Sequence, residues 1–479
     1  MISFFIGVGV LLIGFFLYSR LVERVFGIQT QQATPAYALQ DNVDYVPMGW
    51  GKIFLIQFLN IAGLGPIFGA ILGAAYGPVV FLWIALGCVL GGAVHDYLSG
   101  MLSLRLNGLS IAEIVGRYLG LPIKQFMRVF TVILMIMVGA VFITGPAEIL
   151  ATLTKSMSPV FTATFWVVVI IVYYVMATLL PIDKLIGRVY PFFGFALLFM
   201  AVGIVGGIFF EGYAQYIPEA VPTNLFNMKS NASASPIFPM IFITVACGAV
   251  SGFHATQSPL MARCLKSEKK GRNVFYGAMI AEGLVAMIWA AAAMAFFRGV
   301  PSLNEAISLK TPASLVNEIS VSLLGTFGGF LAVLGVVAAP ITTGDTAFRS
   351  ARLIIADFLK FDQKPLLNRI IISLPLFVVG VGLTFVKFEI IWKYMTWANQ
   401  SLAVIVLWAV SVYLRSAKKW YIISLAPALF MTMVVTTYIL MAPIGFRLSY
   451  TFALLGSAFI TGIMLVAFYR YSYPSKVVD

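Results

Sequence analysis

The sequence predicts an all-α, polytopic membrane protein with about thirteen transmembrane helices. Hydrophobic residues make up 61% of its 479 residues and charged residues 10%, whereas soluble domains are roughly 45 to 50% apolar. Uncharged runs at residues 2–19, 162–180 and 191–210 approach or reach the ~20 residues that cross a bilayer core as a helix. The strand-length alternation typical of a transmembrane β-barrel is absent.

Apolar runs set the predicted spans in order along the chain. The first run has no Lys or Arg before Arg20, so it lacks the basic start of a signal peptide and is predicted to be a retained helix. The thirteen spans are predicted near residues 2–19, 53–76, 78–102, 126–150, 160–180, 190–211, 237–258, 274–297, 321–344, 367–386, 390–413, 419–441 and 449–470.

The distribution of basic residues predicts the topology. The formal net charge is +13, but binding to nucleic acid would need a basic face on a water-exposed domain, and none is expected here. Of the 31 Lys and Arg residues, 24 lie in or beside the segments that follow odd-numbered spans. Because short loops rich in Lys and Arg stay cytoplasmic, the N-terminus is predicted outside and the C-terminus inside.

Two predicted spans carry helix-breaking residues near their centres. Span 2 contains Gly63, Gly65 and Pro66, and span 7 contains Gly248 and Gly252. Glycine and proline weaken a helix, and a break inside a membrane is tolerated only where protein or a water-filled cavity satisfies the freed backbone groups. Close helix packing is the alternative explanation for these glycines.

The spacing of the two breaks predicts an inverted repeat. Spans 2 and 7 are five spans apart, so they cross the membrane in opposite directions. Residues 53–211 and 237–413 would then form two five-helix repeats, preceded by an extra helix and linker at residues 1–52 and followed by two helices and a short cytoplasmic tail at residues 419–479. Transporters built in this way bind solute and ions at the midplane.

Ionisable residues within predicted spans are the candidate functional groups, because they are costly in a bilayer and normally face a cavity, a partner or an ion path. His254 follows the break in span 7 and could contact substrate or a proton, or simply bond to a backbone carbonyl. Asp96 and Glu282 are predicted at similar depth, where one could carry a proton or pair with an arginine. His95 precedes Asp96.

Two further groups are candidates for ion coupling. Glu148 lies near the outer end of span 4, as part of a gate or exposed to water. Thr342, Thr343 and Asp345 follow Pro340 in span 9 and offer hard oxygens suited to Na⁺ or a substrate amine. The two threonines could instead bond back to their own helix.

Motifs of soluble enzymes and of ATP-driven pumps are missing from the sequence. It contains no His-Glu-x-x-His, no P-loop and no cysteine cluster, and it has only two histidines. Its three cysteines predict no structural disulfide. We therefore expect a carrier driven by an ion gradient rather than an enzyme, with no cofactor and no bound metal. Its partners would be a small polar solute, H⁺ or Na⁺, and membrane lipid.

Five strings closely resemble the carbon starvation A family of bacterial inner-membrane transporters, in order from about residue 35 to about residue 360. The strings are Asp44-Tyr45-Val46-Pro47, Asn60-Ile61-Ala62-Gly63-Leu64-Gly65-Pro66, Gly92-Ala93-Val94-His95-Asp96-Tyr97, Ala246-Cys247-Gly248-Ala249-Val250-Ser251-Gly252-Phe253-His254 and Tyr276-Gly277-Ala278-Met279.

This resemblance implies the five-plus-five fold of sodium-coupled amino-acid carriers of the LeuT type. It also implies peptide uptake across the bacterial plasma membrane during carbon starvation, with coupling to H⁺ as the leading hypothesis. A symporter of pyruvate or another small carboxylate, coupled to H⁺ or Na⁺, is the alternative. The substrate-binding or gating candidates are Asn60, Ala62, Gly63, Gly65, Pro66, Ser251, Gly252 and His254, and the ion-coupling candidates are His95, Asp96, Glu148, Glu282, Thr342, Thr343 and Asp345.

Overall fold

The computed structural model describes residues 1–29, 31–155, 157–179, 186–363 and 365–471. Within these residues the chain is helical, and its one extended pairing is a bridge between Met48 and Leu265. Nine continuous helices in the described part are long and apolar enough to cross a membrane, and a tenth span is a bent pair of helices. The all-helical membrane fold predicted from composition is confirmed. The predicted tail after residue 471 lies outside the described residues.

The helices up to residue 210 include the first predicted repeat. They are α1 (Ile2–Ile13), α2 (Ser19–Phe26), α3 (Pro35–Ala38), α4 (Trp50–Ile61), α5 (Ala70–Ala74), α6 (Val79–Leu86), α7 (Ala93–Arg105), α8 (Ile111–Leu119), α9 (Leu121–Thr154), α10 (Ala163–Leu179) and α11 (Ile186–Phe210). Turns of π-helix join α1 to α2 and α6 to α7, so each pair forms one membrane-length helix.

The helices after residue 236 include the second predicted repeat and the two added spans. They are α12 (Ile237–Thr244), α13 (Phe253–Ala262), α14 (Gly277–Phe296), α15 (Val300–Leu309), α16 (Pro312–Ala332), α17 (Ala338–Leu359), α18 (Leu366–Thr384), α19 (Phe388–Ser416), α20 (Ile422–Met441) and α21 (Tyr450–Tyr471).

Burial separates a central group of helices from peripheral ones. In the continuous helix Glu268–Phe296, which contains α14, 78% of the most apolar stretch is buried, whereas the corresponding values are 28% for Ile2–Phe26 and 17% for Tyr450–Tyr471. The first and last predicted spans therefore lie at the edge of the bundle. The two-repeat division at residues 53–211 and 237–413 stays a prediction.

Helix extends beyond the bounds of predicted span 9 at both ends. The sequence placed it at residues 321–344, but helix runs from Pro312 to Leu359 through α16 and α17, with a kink at Gly325 (φ 62°, ψ −155°). A positive φ is accessible to glycine without steric cost, so the chain turns there. Asp345 is consequently about a third of the way along α17 rather than at the end of a span.

Polar contacts distinguish the two ends of the bundle. At one end the N-terminal ammonium lies 2.5 Å from Glu219, and this contact, with the Ser3 hydroxyl, lowers the pKa of Glu219 to about 2. At the opposite end Arg105 pairs with Glu268 at 3.0 Å. The loop holding Glu219 and the N-terminus therefore share one side, as the predicted topology requires.

A segment before α4 crosses the end of the bundle near Glu268. Met48 donates its backbone N–H to Cys264 at 3.1 Å, and the Tyr45 hydroxyl donates to the carbonyl of Asn107 at 3.0 Å. Asp44 lies 3.6 Å from the guanidinium of Arg349 on α17. These contacts fix the position at which α4 begins and place Arg349 of α17 beside this segment.

Labelling from each side of the membrane tests the topology. In a chain whose three native cysteines are replaced by alanine, we expect Lys269→Cys to react with an impermeant maleimide only from the cytoplasmic side. Ser233→Cys, in the loop between α11 and α12, should react only from outside; both positions are exposed. Labelling of both from one side would show that residues 237–258 do not cross the membrane and would refute the predicted topology.

Candidate functional site

The bend between α4 and α5 lies at the break predicted in span 2. The helices Trp50–Ile61 and Gly65–Ala74 meet at an angle of 56°, with Ala62, Gly63 and Leu64 between them. A Cβ atom on Gly63 would lie 2.8 Å from the ring of Phe142, and one on Gly65 would collide with the side chain of Cys247. Glycine is needed at both positions because other helices approach the backbone closely.

The break predicted in span 7 separates α12 from α13. Residues 245–252 are not helical, and α13 begins at Phe253. A Cβ atom on Gly248 would lie 2.5 Å from Cβ of Ala286 on α14 and 3.8 Å from Cα of Pro66. The two interruptions therefore pack against each other, and the predicted residues Gly65, Pro66 and Gly248 form their contact.

Asn399 on α19 holds the second break in place. Its carboxamide oxygen accepts hydrogen bonds from the backbone N–H of Phe253 at 2.6 Å and from the Ser251 hydroxyl at 3.1 Å. Its carbonyl accepts the N–H of Gly252 at 3.2 Å, and a Cβ on Gly252 would collide with this backbone. Asn399 thus satisfies the exposed N–H groups at the start of α13, a role usually filled by an N-cap residue.

Sequence reasoning missed Asn399. Its candidates were ionisable residues within spans, the threonines after Pro340 and residues of the five family-like strings, and Asn399 belongs to none of these groups. A usable signal was present, because consecutive amides at Asn399 and Gln400 stand within an otherwise apolar run. An uncharged polar side chain in a membrane helix also needs a partner.

Four of the predicted side chains form one cluster beside the second break. Asp96 on α7 receives both imidazoles, with His95 Nδ1 at 2.8 Å from Oδ1 and His254 Nδ1 at 2.8 Å from Oδ2. His254 Nε2 lies 3.3 Å from Oε2 of Glu282 on α14. All four side chains are completely buried. His254 therefore bridges the two carboxylates that the sequence placed at similar depth.

The thiol of Cys247 is also near this cluster. Its sulfur, one ring nitrogen of His254 and one carboxylate oxygen of Glu282 lie within 4.8 Å of one another. The thiol is already in contact with Ser251 at 3.7 Å and Asn399 at 3.5 Å, so packing at the break accounts for its position. The expectation that the chain binds no metal ion stays a prediction.

Thr342, Thr343 and Asp345 occupy a separate part of α17. Thr342 and Thr343 both donate to the carbonyl of Ala339 at 2.8 Å, and Thr343 also reaches the carbonyl of Leu59 at 3.1 Å. Asp345 accepts a hydrogen bond from the Tyr190 hydroxyl at 2.7 Å. Within the described residues no hydrogen bond or ion pair joins them to the four-residue cluster.

The remaining predicted residues differ in environment. Glu148 is exposed and lines a cavity of about 370 Å³ with Thr152, Thr311 and Asn317, apart from the cluster. Ala62 is fully buried at the first break. Asn60 is also fully buried, in the last helical turn before that break, and in the described part of the chain neither its Nδ2 nor its Oδ1 has a hydrogen-bond partner.

Comparison with known proteins identifies relatives and a fold. The family model described as "Carbon starvation protein CstA" matches residues 1–164 and 147–323. An uncharacterized membrane protein of Haemophilus influenzae is 42% identical over 353 residues, which cover 64% of this chain and 94% of that protein. A Helicobacter pylori protein named peptide transporter CstA is 29% identical over 339 residues, and the match spans 58% of this chain and 48% of its relative.

Among solved structures, the chain is similar to Mhp1, a nucleobase-cation-symport-1 family transporter, in a closed conformation with bromovinylhydantoin bound. The TM-score is 0.57 at 15% identity, and the match covers 91% of this chain and 98% of that structure. At this identity the likeness concerns the fold alone. It agrees with the LeuT-type architecture that the sequence resemblance implies.

Replacing Gly65 tests the close contact between the breaks. Gly65→Leu forces a side chain against Cys247, and overpacking of this kind costs about 1–3 kcal/mol, so we expect a lower melting temperature for the detergent-purified protein. The matched change Gly51→Leu, in α4 where a Cβ meets no atom within 4 Å, should leave the melting temperature equal or higher. Equal melting of both variants would contradict the close contact between Gly65 and Cys247.

Proposed function

The chain belongs to the carbon starvation protein CstA family, and from this membership we propose that it is a secondary active transporter that takes up small peptides across the bacterial plasma membrane during carbon starvation, coupled to protons. The observation that carries the proposal is the buried cluster of His95, Asp96, His254 and Glu282 beside two facing helix breaks. The Helicobacter pylori relative is named a peptide transporter, which supports a peptide as the solute.

The two breaks favour a carrier over a channel. Each break interrupts the intrahelical hydrogen bonds within the bundle, and transporters with such breaks bind solutes at the half-helix ends. The breaks lie on different predicted repeats and touch through Gly65 and Cys247. A relative movement of the two repeats would open this contact from one side at a time, which is alternating access.

The buried cluster supports protons as the coupling ion. Two carboxylates and two imidazoles share one buried centre, where an uncompensated charge costs several kcal/mol. Each member lies within 3.3 Å of another member. Adding a proton to any of the four therefore changes the electrostatic interaction with its neighbours. The occupancy of the centre by a proton can therefore control whether α7, α13 and α14 hold together.

Sodium coupling has weaker support. The candidate oxygens of Thr342 and Thr343 donate to backbone carbonyls, and Asp345 accepts from Tyr190. These bonds would have to rearrange before the oxygens could bind an ion, whereas the His254 cluster already contains groups that take up a proton.

Uptake into proteoliposomes tests the function. We expect labelled dialanine to accumulate when the lumen is made alkaline relative to the bath, and not when only a Na⁺ gradient is imposed. Liposomes without protein are the control. Accumulation of pyruvate with no uptake of dialanine would assign the carrier to small carboxylates, and uptake driven by Na⁺ alone would refute proton coupling.

Asp96 is the sharpest test of coupling, because it contacts both histidines. Asp96→Asn keeps the shape of the side chain but removes the charge that pairs with them, so we expect gradient-driven uptake to fall at least tenfold. Exchange of internal for external dialanine, which needs no net proton movement, should remain measurable.

A matched change in another carboxylate provides the control. Glu305→Gln alters an exposed residue of α15 and should leave both uptake and exchange near the wild-type level. If Asp96→Asn also leaves both activities unchanged, the cluster has a structural role only.

A further inference from the structure

Asn60 is a buried amide without partners among the described residues. Its side chain is 0% exposed, and both Nδ2 and Oδ1 lack hydrogen bonds there. An unsatisfied polar group in a buried position costs about 1–3 kcal/mol. The residue stands in the last turn of α4, directly before the first break. A buried amide beside the break is suited to a ligand that has its own hydrogen-bond donor and acceptor.

Helix register places Asn60 next to the turn that carries His254. Across the α4–α13 contact, Gln57 donates to the Ser258 hydroxyl at 3.3 Å. Residues three or four apart on a helix lie on the same face. Asn60 is one turn from Gln57 toward the break, and His254 is one turn from Ser258 in the same direction because the two helices are antiparallel. The unpartnered amide and the histidine cluster therefore belong to one site.

Glu282 is the second group in this site with unused capacity. Its Oε2 lies 3.3 Å from His254 Nε2, but within the described ranges neither carboxylate oxygen has a hydrogen-bond partner, and the side chain is 0% exposed. Ala286, one turn further along α14, touches Gly248 in the second break. Glu282 therefore lies on the face of α14 that packs against the break.

We infer that Asn60 and Glu282 recognise the amino-terminal end of the transported solute, with the ammonium at Glu282 and the first peptide group at Asn60. This inference rests on the proposed function. A carboxamide offers one acceptor and two donors, so it can accept the peptide N–H and donate to the peptide C=O. A carboxylate without hydrogen bonds gains most from a cation, and charge-assisted bonds are the stronger ones.

The arrangement predicts which solutes are rejected. Pyruvate has neither an ammonium nor an N–H group, so it would leave Glu282 and the Asn60 oxygen unsatisfied. Sites built to bond a polar group discriminate strongly against analogues that lack it. An N-acetylated peptide loses the charge at Glu282. An analogue with an ester in place of the peptide bond loses the N–H that Asn60 accepts.

Calorimetric titration of the purified full chain tests the inference with four probes: dialanine, N-acetyl-dialanine, the alanyl-lactate ester analogue of dialanine, and pyruvate. For the wild-type protein we expect dialanine to bind at least tenfold more tightly than each of the other three. Equal binding of dialanine and its N-acetyl form would overturn the assignment of Glu282 while leaving peptide transport intact. Failure of dialanine to bind or to be taken up would instead overturn the proposed function.

Two variants test which residue binds which group of the peptide, and each should abolish the preference for dialanine over one analogue only. Glu282→Gln should bring dialanine and N-acetyl-dialanine within about twofold of each other while keeping the preference over the ester. Asn60→Leu, similar in size, should abolish the preference over the ester and keep that for the free ammonium. If either variant keeps the full wild-type pattern, its assignment is wrong.

The control variant is Asn317→Leu, the same chemical change on α16 beside the outer cavity. It should keep the wild-type order and ratios of affinity for all four probes. A variant that fails to purify as a folded protein does not affect the comparison among probes on the wild-type chain, where equal binding of dialanine and its N-acetyl form or its ester analogue would overturn the inference.

Discussion

Two carboxylates and two imidazoles are buried in the middle of this membrane protein, and their burial constrains how the surrounding helices pack. Such groups are stable only when each is bonded to another polar group. Asp96 meets this requirement by accepting from His95 and His254 at 2.8 Å. That geometry requires α7 and α13 to approach closely, and a continuous helix through residues 245–252 would not leave His254 at the start of a helix.

Interrupting the helix gives the cluster an electrostatic benefit. His254 is the second residue of α13, so its contact with Asp96 lies at the helix N-terminus, where the aligned backbone dipoles favour negative charge. The same interruption leaves N–H groups without intrahelical partners, and Asn399 accepts two of them through its carboxamide and carbonyl. The break, its cap and the buried carboxylate are thus mutually dependent, which explains why glycine is required at residue 252.

The sequence predicted those features of the site that depend on residue type and on position within a span. Glycine and proline mark both breaks, and the depths of Asp96 and Glu282 follow from the span bounds, so their proximity to His254 could be anticipated.

The sequence was less informative about α17, because hydropathy drops at Asp345, Arg349 and Arg352. The helix continues through them because partners from elsewhere stabilise them, such as Tyr190 for Asp345 and Asp44 for Arg349. Pairings of this kind come from tertiary structure and leave no periodic pattern in the sequence. The capping role of Asn399 was missed for the same reason, since it lies 146 residues from Phe253 along the chain.

The presence of two carboxylates gives the centre a way to separate ion from solute. A site with one acid would have to choose between a proton and an ammonium, since both would occupy the same negative charge. Here Asp96 is enclosed by His95 and His254, which provide routes for a proton, while Glu282 keeps two oxygens free of hydrogen bonds from the described residues and open to a cation.

His254 contacts both acids, so the charge on one carboxylate affects the other through the imidazole ring between them. Binding of an ammonium at Glu282 removes a negative charge that would otherwise attract a proton or imidazolium, so occupancy by solute and by proton are energetically linked. This linkage is negative, because each cation lowers the affinity of the centre for the other, so symport requires the two cations to bind different carboxylates, as Asp96 and Glu282 allow.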